Sequence, residues 1–386
     1  MKISLRTQQL KTIFSYEKKT TIEDRPLEIR PYRFIQRIGE NEINCFQESI
    51  PTTEFCPIHD NGIEENKNFK YTIFVPKGTR KTDQAILFLH GLNERSWEKY
   101  LTWAEFLSLA TGKAVILFPI AFHMNRTPSN WYNPRAILPW VTKRKQQIND
   151  LQNSTFVNVA LSSRLSESPI RFYTSGRESV FNLWQLLSEI KHGEHPLFKE
   201  DSSVNIFAYS IGAFLAQILL LANPDHLVQN SRLFMFCGGS IFSRMNGNAR
   251  DIMDQEAYER VRQYFLHNFL ENNEHHRLLP AVCKEDFLEK AFKAMLVPET
   301  CKEYREAFFE KNRERIRILT LKKDVVMPTS GVIEALGESN ATTMLKEWDF
   351  PYDYNHQNPF PSHTHIAPEL LYQSFEGLFN KAASFL

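Results

Sequence analysis

The residue whose setting most points to chemistry is Ser210, in the stretch Val204-Asn-Ile-Phe-Ala208-Tyr209-Ser210-Ile211-Gly212. An apolar run of strand length leads into Ala208-x-Ser210-x-Gly212, and a helical run to Leu221 follows at once, stopping at Asn223-Pro224. A serine at such a strand-to-helix elbow is held in a strained backbone with its hydroxyl above the sheet edge, as a nucleophile toward carbonyl carbon must be. The flanks at 208 and 212 have to be small because strand and helix pass closely there; alanine stands at the first of them where glycine is usual. A second run, Ala85-Ile-Leu-Phe-Leu-His90-Gly91-Leu92, is a buried strand ending in a flexible turn, the place for a backbone N–H aimed at a developing oxyanion. Position therefore assigns an oxyanion hole to the amides of Leu92 and Ile211. His90 and Gly91 would border the substrate. His123 and Arg126, with Asn125 between them, follow the next strand and would line the pocket, binding a substrate carboxylate or phosphate. A structural ion pair fixing the loop that follows is the other reading of these residues.

The order strand, His-Gly, helix, strand, helix, elbow serine resembles the α/β-hydrolase superfamily, from Tyr71 to Leu386 apart from insertions. The run His90-Gly-Leu-Asn-Glu-Arg-Ser-Trp97, with Lys99-Tyr100, Trp103-Ala104 and Phe118-Pro-Ile-Ala-Phe-His-Met-Asn-Arg126, resembles an uncharacterised bacterial branch of it. The superfamily resemblance implies an acid and then a histidine after the serine. Asp324 lies just past the strand Ile316–Leu321 and is the expected acid, with Asp251 and Asp254 as alternatives. His356, on the loop Tyr354 to Pro361, comes soonest after the last strand. His365 and His363, ahead of the final helix, stay open as alternatives. What this implies is a serine hydrolase: Ser210 attacks an ester or related acyl carbonyl, the histidine takes its proton, Asp324 orients the ring, and water releases the acyl group. An acyltransferase using the same three residues, or a hydrolase-fold binding protein without catalysis, are the competing readings.

The elements that must carry these residues are legible as alternating strands and helices. Tyr71–Val75, Ala85–Leu89, Ala114–Phe118, Val204–Ala208, Leu233–Cys237, Ile316–Leu321 and Met344–Phe350 read as strands, the near-continuous apolar ones as buried on both faces. Ser96 to Ala110 reads as a helix capped by Gly112, Ser175–Glu178 as a capping box opening another, and Pro368 to Phe385 as the last. Strand alternating with helix predicts an α/β fold with a doubly wound, mostly parallel sheet. Residues 1–68 read as an N-terminal extension packed on a 69–386 hydrolase domain. Two insertions, 122–173 and 243–315, are expected to form a helical lid or cap and to select substrate.

Composition narrows the partners. The 386 residues carry 46 Lys+Arg against 45 Asp+Glu, a net charge of +1, so nothing favours a nucleic-acid partner. The longest apolar run, Ala213 to Ala222 interrupted by Gln217, is half of the about 20 residues a bilayer span needs, so no stable membrane insertion is expected. Met1 to Arg25 has no apolar core of a secretory signal. Five cysteines without metal-type spacing favour free thiols, and the chain reads as cytoplasmic. Cys237 reads as a buried thiol rather than a second nucleophile. His363-x-His365 and His275-His276 lack carboxylate or cysteine partners at ligand spacing, so neither a metal nor a cofactor is expected. A small-molecule ester is the expected partner, with a weak lean toward an apolar acyl group.

Overall fold

The computed structural model describes residues 2–48, 50–271, 286–361 and 365–386. Within them nine strands form one sheet: β1 (Thr20–Ile22), β2 (Leu27–Ile35), β3 (Asn68–Pro76), β4 (Thr82–Leu89), β5 (Ala114–Leu117), β6 (Phe198–Tyr209), β7 (Leu233–Phe236), β8 (Ile316–Leu321) and β9 (Leu345–Trp348). Their spatial order is β1-β2-β3-β5-β4-β6-β7-β8-β9. The pairs from β1 to β5 are antiparallel, and every pair from β5 through β9 is parallel.

The Ala85–Leu89 part of β4 shows why apolar residues follow one another without alternation in the central strands. Ala85, Leu87 and Leu89 face one core layer, shared with the helices Arg171–Lys191 and Ile211–Ala222. Ile86 and Phe88 face the other, shared with the helices Ile3–Ile13, Glu98–Thr111 and Pro368–Phe385. A strand covered on both faces has no position to give to a polar side chain. Helices on both sides of a mostly parallel sheet make this a doubly wound α/β fold. Because β4, β6, β8 and β9 run parallel, the loops after them meet at one edge, and these loops carry Gly91, Ser210, Asp324 and His356.

The N-terminal residues are built into the sheet. β2 pairs with β3 from Leu27↔Pro76 to Ile35↔Asn68. The Ile3–Ile13 helix is tied to the Glu98–Thr111 helix through Arg6, whose Nε donates to Glu105 at 2.9 Å.

The described parts of the two insertions pack together into one cap. Arg144, in the Pro134–Gln147 helix, pairs in two-pronged fashion with Asp254 at 2.6 and 2.9 Å. Asp254 also caps the Gln255–Gln263 helix by accepting from the Ala257 amide at 3.0 Å, and its own amide donates to Ser162 Oγ at 2.9 Å. Beneath these contacts Phe172, Phe214, Phe242, Phe265 and Phe292 pack ring on ring. The capping box expected at Ser175–Glu178 does not form, because the helix already starts at Arg171 and Glu178 is buried within it. Among the described residues, no helix is long and apolar enough to cross a membrane.

Candidate active site

β6 ends at Tyr209 and the next helix begins at Ile211, so Ser210 alone turns the chain, at φ +57° and ψ −124°. An L-residue pays about 1–3 kcal/mol for such a conformation, which persists only where its surroundings hold it. Here the Ser210 amide donates to the Phe236 carbonyl at 3.3 Å, and its carbonyl accepts from Ala213 at 2.9 Å. Close approach sets the neighbours' size. A Cβ at Gly212 would stand 2.6 Å from the Leu89 carbonyl oxygen and 2.7 Å from that of His90; one at Gly238 would stand 2.5 Å from Ala213 Cβ.

Ser210 Oγ lies 2.7 Å from His356 Nε2, and His356 Nδ1 lies 2.7 Å from Asp324 Oδ2. All three residues are buried to within 4% exposure, so these polar contacts are made largely out of water. Asp324 is fixed from behind: its Oδ1 accepts from the Val326 and Met327 amides, both at 2.9 Å. With Asp324 accepting at Nδ1, the His356 tautomer that satisfies both contacts carries its proton on Nδ1 and leaves Nε2 to accept from the serine hydroxyl. The imidazole stacks on the Tyr209 ring at 5.6 Å, and the Tyr209 hydroxyl donates to the His356 carbonyl. Lys99 Nζ, paired with Glu94, donates to the Gln357 carbonyl at 3.1 Å and ties the histidine loop to the turn after β4.

That turn is clamped by two buried histidines. His90 Nε2 accepts from the Ile120 amide at 2.9 Å and Nδ1 donates to the Gly91 carbonyl at 2.8 Å. His123 Nε2 accepts from the Asn93 amide at 3.0 Å and Nδ1 donates to the Ala121 carbonyl at 2.8 Å. Burial pushes both rings toward the neutral form, His90 well below the ordinary histidine range and His123 down to about 4. Asn93 takes the left-handed φ of +62° that its short polar side chain tolerates, and its Nδ2 donates to the Val157 and Asp251 carbonyls in the cap. Gly91 N–H donates to Tyr100 Oη, which donates to Glu94. Leu92 and Ile211 both line the cavity at Ser210, and neither amide has a hydrogen-bond partner among the described residues.

Several expectations need correction. His90 cannot bind substrate through its ring, since both nitrogens are spent on backbone groups and the side chain is fully buried. Arg126 is fully buried too. It donates to the Pro119 and Asn66 carbonyls and to Asn182 Oδ1, and lies 3.6 Å from Glu178, so it fixes the loop after β5 and offers nothing to a substrate anion. His123 lines the neighbouring apolar cavity but acts on the turn, as above. Asn125 Nδ2 donates to the Lys70 carbonyl. Asp254 is committed to Arg144. Asp251 lines the cleft beside Ser210 and His356, without a hydrogen bond to the imidazole among the described residues. His365 is exposed; His363, His275 and His276 lie outside the described residues. Burial and the adjacent Asp324 carboxylate push the Cys237 thiol up, which keeps it protonated and poorly nucleophilic. The roles of Tyr209, Tyr100 and Lys99 escaped the sequence, although the aromatic residue directly before the elbow serine was visible there.

Residues 1–386 match the model of DUF6051, a family of unknown function. The chain belongs to DUF6051. No curated protein matches it. Among solved structures, this DUF6051 member is similar to carboxyl esterase 2 of the mycorrhizal fungus Tuber melanosporum, at 8% identity and a TM-score of 0.46, over 99% of this chain and 98% of that one. It is also similar to a bacterial heroin esterase, at 11% identity and a TM-score of 0.46, over 98% and 88% of the two chains. An esterase of Pyrococcus furiosus matches at 12% identity and a TM-score of 0.42, over 95% of each chain.

Proposed function

We propose that the protein is a serine hydrolase that cleaves a small-molecule ester through an acyl-enzyme intermediate. The observation that carries this reading is the unbroken chain from Ser210 Oγ through His356 to Asp324, with both contacts at 2.7 Å, beside two unengaged backbone amides. Ser210 Oγ attacks the ester carbonyl carbon while its proton passes to His356 Nε2. The imidazolium that results is stabilised by Asp324, and the tetrahedral oxyanion is held by the N–H groups of Leu92 and Ile211. His356 then returns the proton to the leaving oxygen as the carbon–oxygen bond breaks, releasing the alcohol. Water, deprotonated by the same nitrogen, repeats the sequence on the acyl-serine and frees the carboxylic acid and the serine.

The elbow strain and the His90 and His123 clamps fit this chemistry: both hold donors in place before the charge develops, so that little reorganisation is left for the reaction itself. The test is steady-state hydrolysis of p-nitrophenyl butanoate. Ser210→Ala is expected to lower kcat/KM by about 10⁴-fold or more, with the circular-dichroism spectrum unchanged. Equal activity of wild type and Ser210→Ala would refute the reading.

A further inference from the structure

The cavities at Ser210 differ in character, and the imidazole says which part of a substrate enters each. One, of about 50 Å³, is walled by Leu92, Phe172, Phe242, Met245 and Val326 and is not lined by His356. It shares Leu92, Phe172 and Ile211 with a second apolar space of about 80 Å³. The other, a cleft of about 330 Å³, is lined by His356 together with Asn93, Arg95, Lys99, Asp251 and Asn358. In the mechanism proposed above, on which this inference rests, His356 must reach the leaving oxygen. The alcohol half of the ester therefore lies in the wide cleft and the acyl half in the apolar space.

Size and chemistry then limit both halves. A cavity holds a water at about 10–15 Å³ and benzene at about 150 Å³, so the apolar space at Ser210 takes an acyl group of a few carbons. The cleft carries two acids, Glu94 and Asp251, and two bases, Arg95 and Lys99, and so has no net preference for a charged ligand. Asp251, Gln357 and Asn358 all line the cleft, and the Asp251 carboxylate and the two side-chain amides make no hydrogen bond to another described residue, so acceptors and donors are both at hand there. A hydroxyl, which both donates and accepts, matches that mixture. Arg95 and Ser96 also border an adjoining groove of about 270 Å³, whose walls include Phe14, Tyr16, Trp97 and Tyr132. Aromatic faces beside polar groups suit a ring with apolar C–H faces and hydroxyl edges. Phe14 and Tyr16 come from the N-terminal segment, which gives that segment a place in recognition.

We propose that the substrate is a short-acyl ester of an uncharged polyhydroxylated ring alcohol, an O-acylated sugar, with the sugar in the His356 cleft and the groove beyond it. The experiment compares kcat/KM of the full-length protein for glucose 6-butanoate, hexyl butanoate and glucose 6-octanoate, alongside fluorophosphonate labelling of Ser210. Glucose 6-butanoate is expected to exceed each of the others at least tenfold. Asp251→Ala and Tyr132→Ala should shrink its advantage over hexyl butanoate, mainly through KM. If Ser210 is labelled and hexyl butanoate is cleaved as well as the sugar ester, or glucose 6-octanoate as well as the butanoate, this inference fails and the hydrolase reading stands. If Ser210 is not labelled and no ester is cleaved, both fail.

Discussion

Gly212 sets how closely the helix after Ser210 can cross β4, since any side chain there meets the backbone oxygens of Leu89 and His90 at 2.6 and 2.7 Å. Backbone cannot step aside as a flexible side chain can. Gly212→Ala is therefore expected to cost about 1–3 kcal/mol, whereas Gly176→Ala, where nothing lies within 4 Å and the backbone is helical, should stabilise by up to about 1 kcal/mol. Urea unfolding midpoints of the two variants test this; a Gly212→Ala midpoint at or above wild type would contradict it. The same constraint explains what could be read from sequence. An elbow leaves a local trace, an apolar strand, small flanks and an immediate helix, so Ser210 was visible. The choice among His356, His365 and His363 left none, because the reach of an imidazole depends on the path of residues 351–361, which is fixed by distant groups such as Tyr209 and Lys99. For a related reason His90 was misread, and the structural and the substrate-binding readings of Arg126 both stayed open in the sequence. Whether a buried polar side chain serves a ligand or the backbone is decided by partners far along the chain, here the Ile120 amide and Asn66.

At the scale of elements, the strands were the easiest to see, because burial on both faces demands apolar runs such as Ala85–Leu89 in β4 and Leu233–Phe236 in β7. β1 was missed: three residues at an edge, two of them half-buried, carry no such pattern. Helix starts were less legible than helix bodies. Ser175 and Glu178 have the spacing of a capping box, but the amphipathic face of the Arg171–Lys191 helix reaches four residues further back, and tertiary burial of Arg171 and Tyr173 outweighs the local signal. The insertions were visible as breaks in the alternation. Their union into one cap was not, since it depends on the Arg144–Asp254 pair and the Ser162 contact, each joining residues about a hundred positions apart.

For the molecule as a whole, Glu178 links the N-terminal segment to the helix Arg171–Lys191 that packs on the sheet. Its carboxyl accepts from Gln47 Nε2 at 2.7 Å and Asn66 Nδ2 at 2.5 Å, and burial pushes its pKa up to about 7, against the opposing pull of Arg126. The folded state thus holds a proton that the unfolded chain releases near pH 4.5. The stability this gives is fully present below pH 4.5 and is lost as pH rises through 7, up to about 3 kcal/mol in all. Glu178→Gln should remove that dependence, so the unfolding free energy of wild type relative to the variant is expected to fall between pH 5 and pH 8. A difference that stays constant with pH would contradict this.

The central claim concerns one serine and one histidine. It is tested most directly by treating the folded protein with a fluorophosphonate and locating the adduct by peptide mass spectrometry. The account predicts a single adduct on Ser210, abolished in His356→Ala and retained in His365→Ala. Folded wild-type protein that takes up no label, or a label on Ser210 that survives the loss of His356, would contradict it.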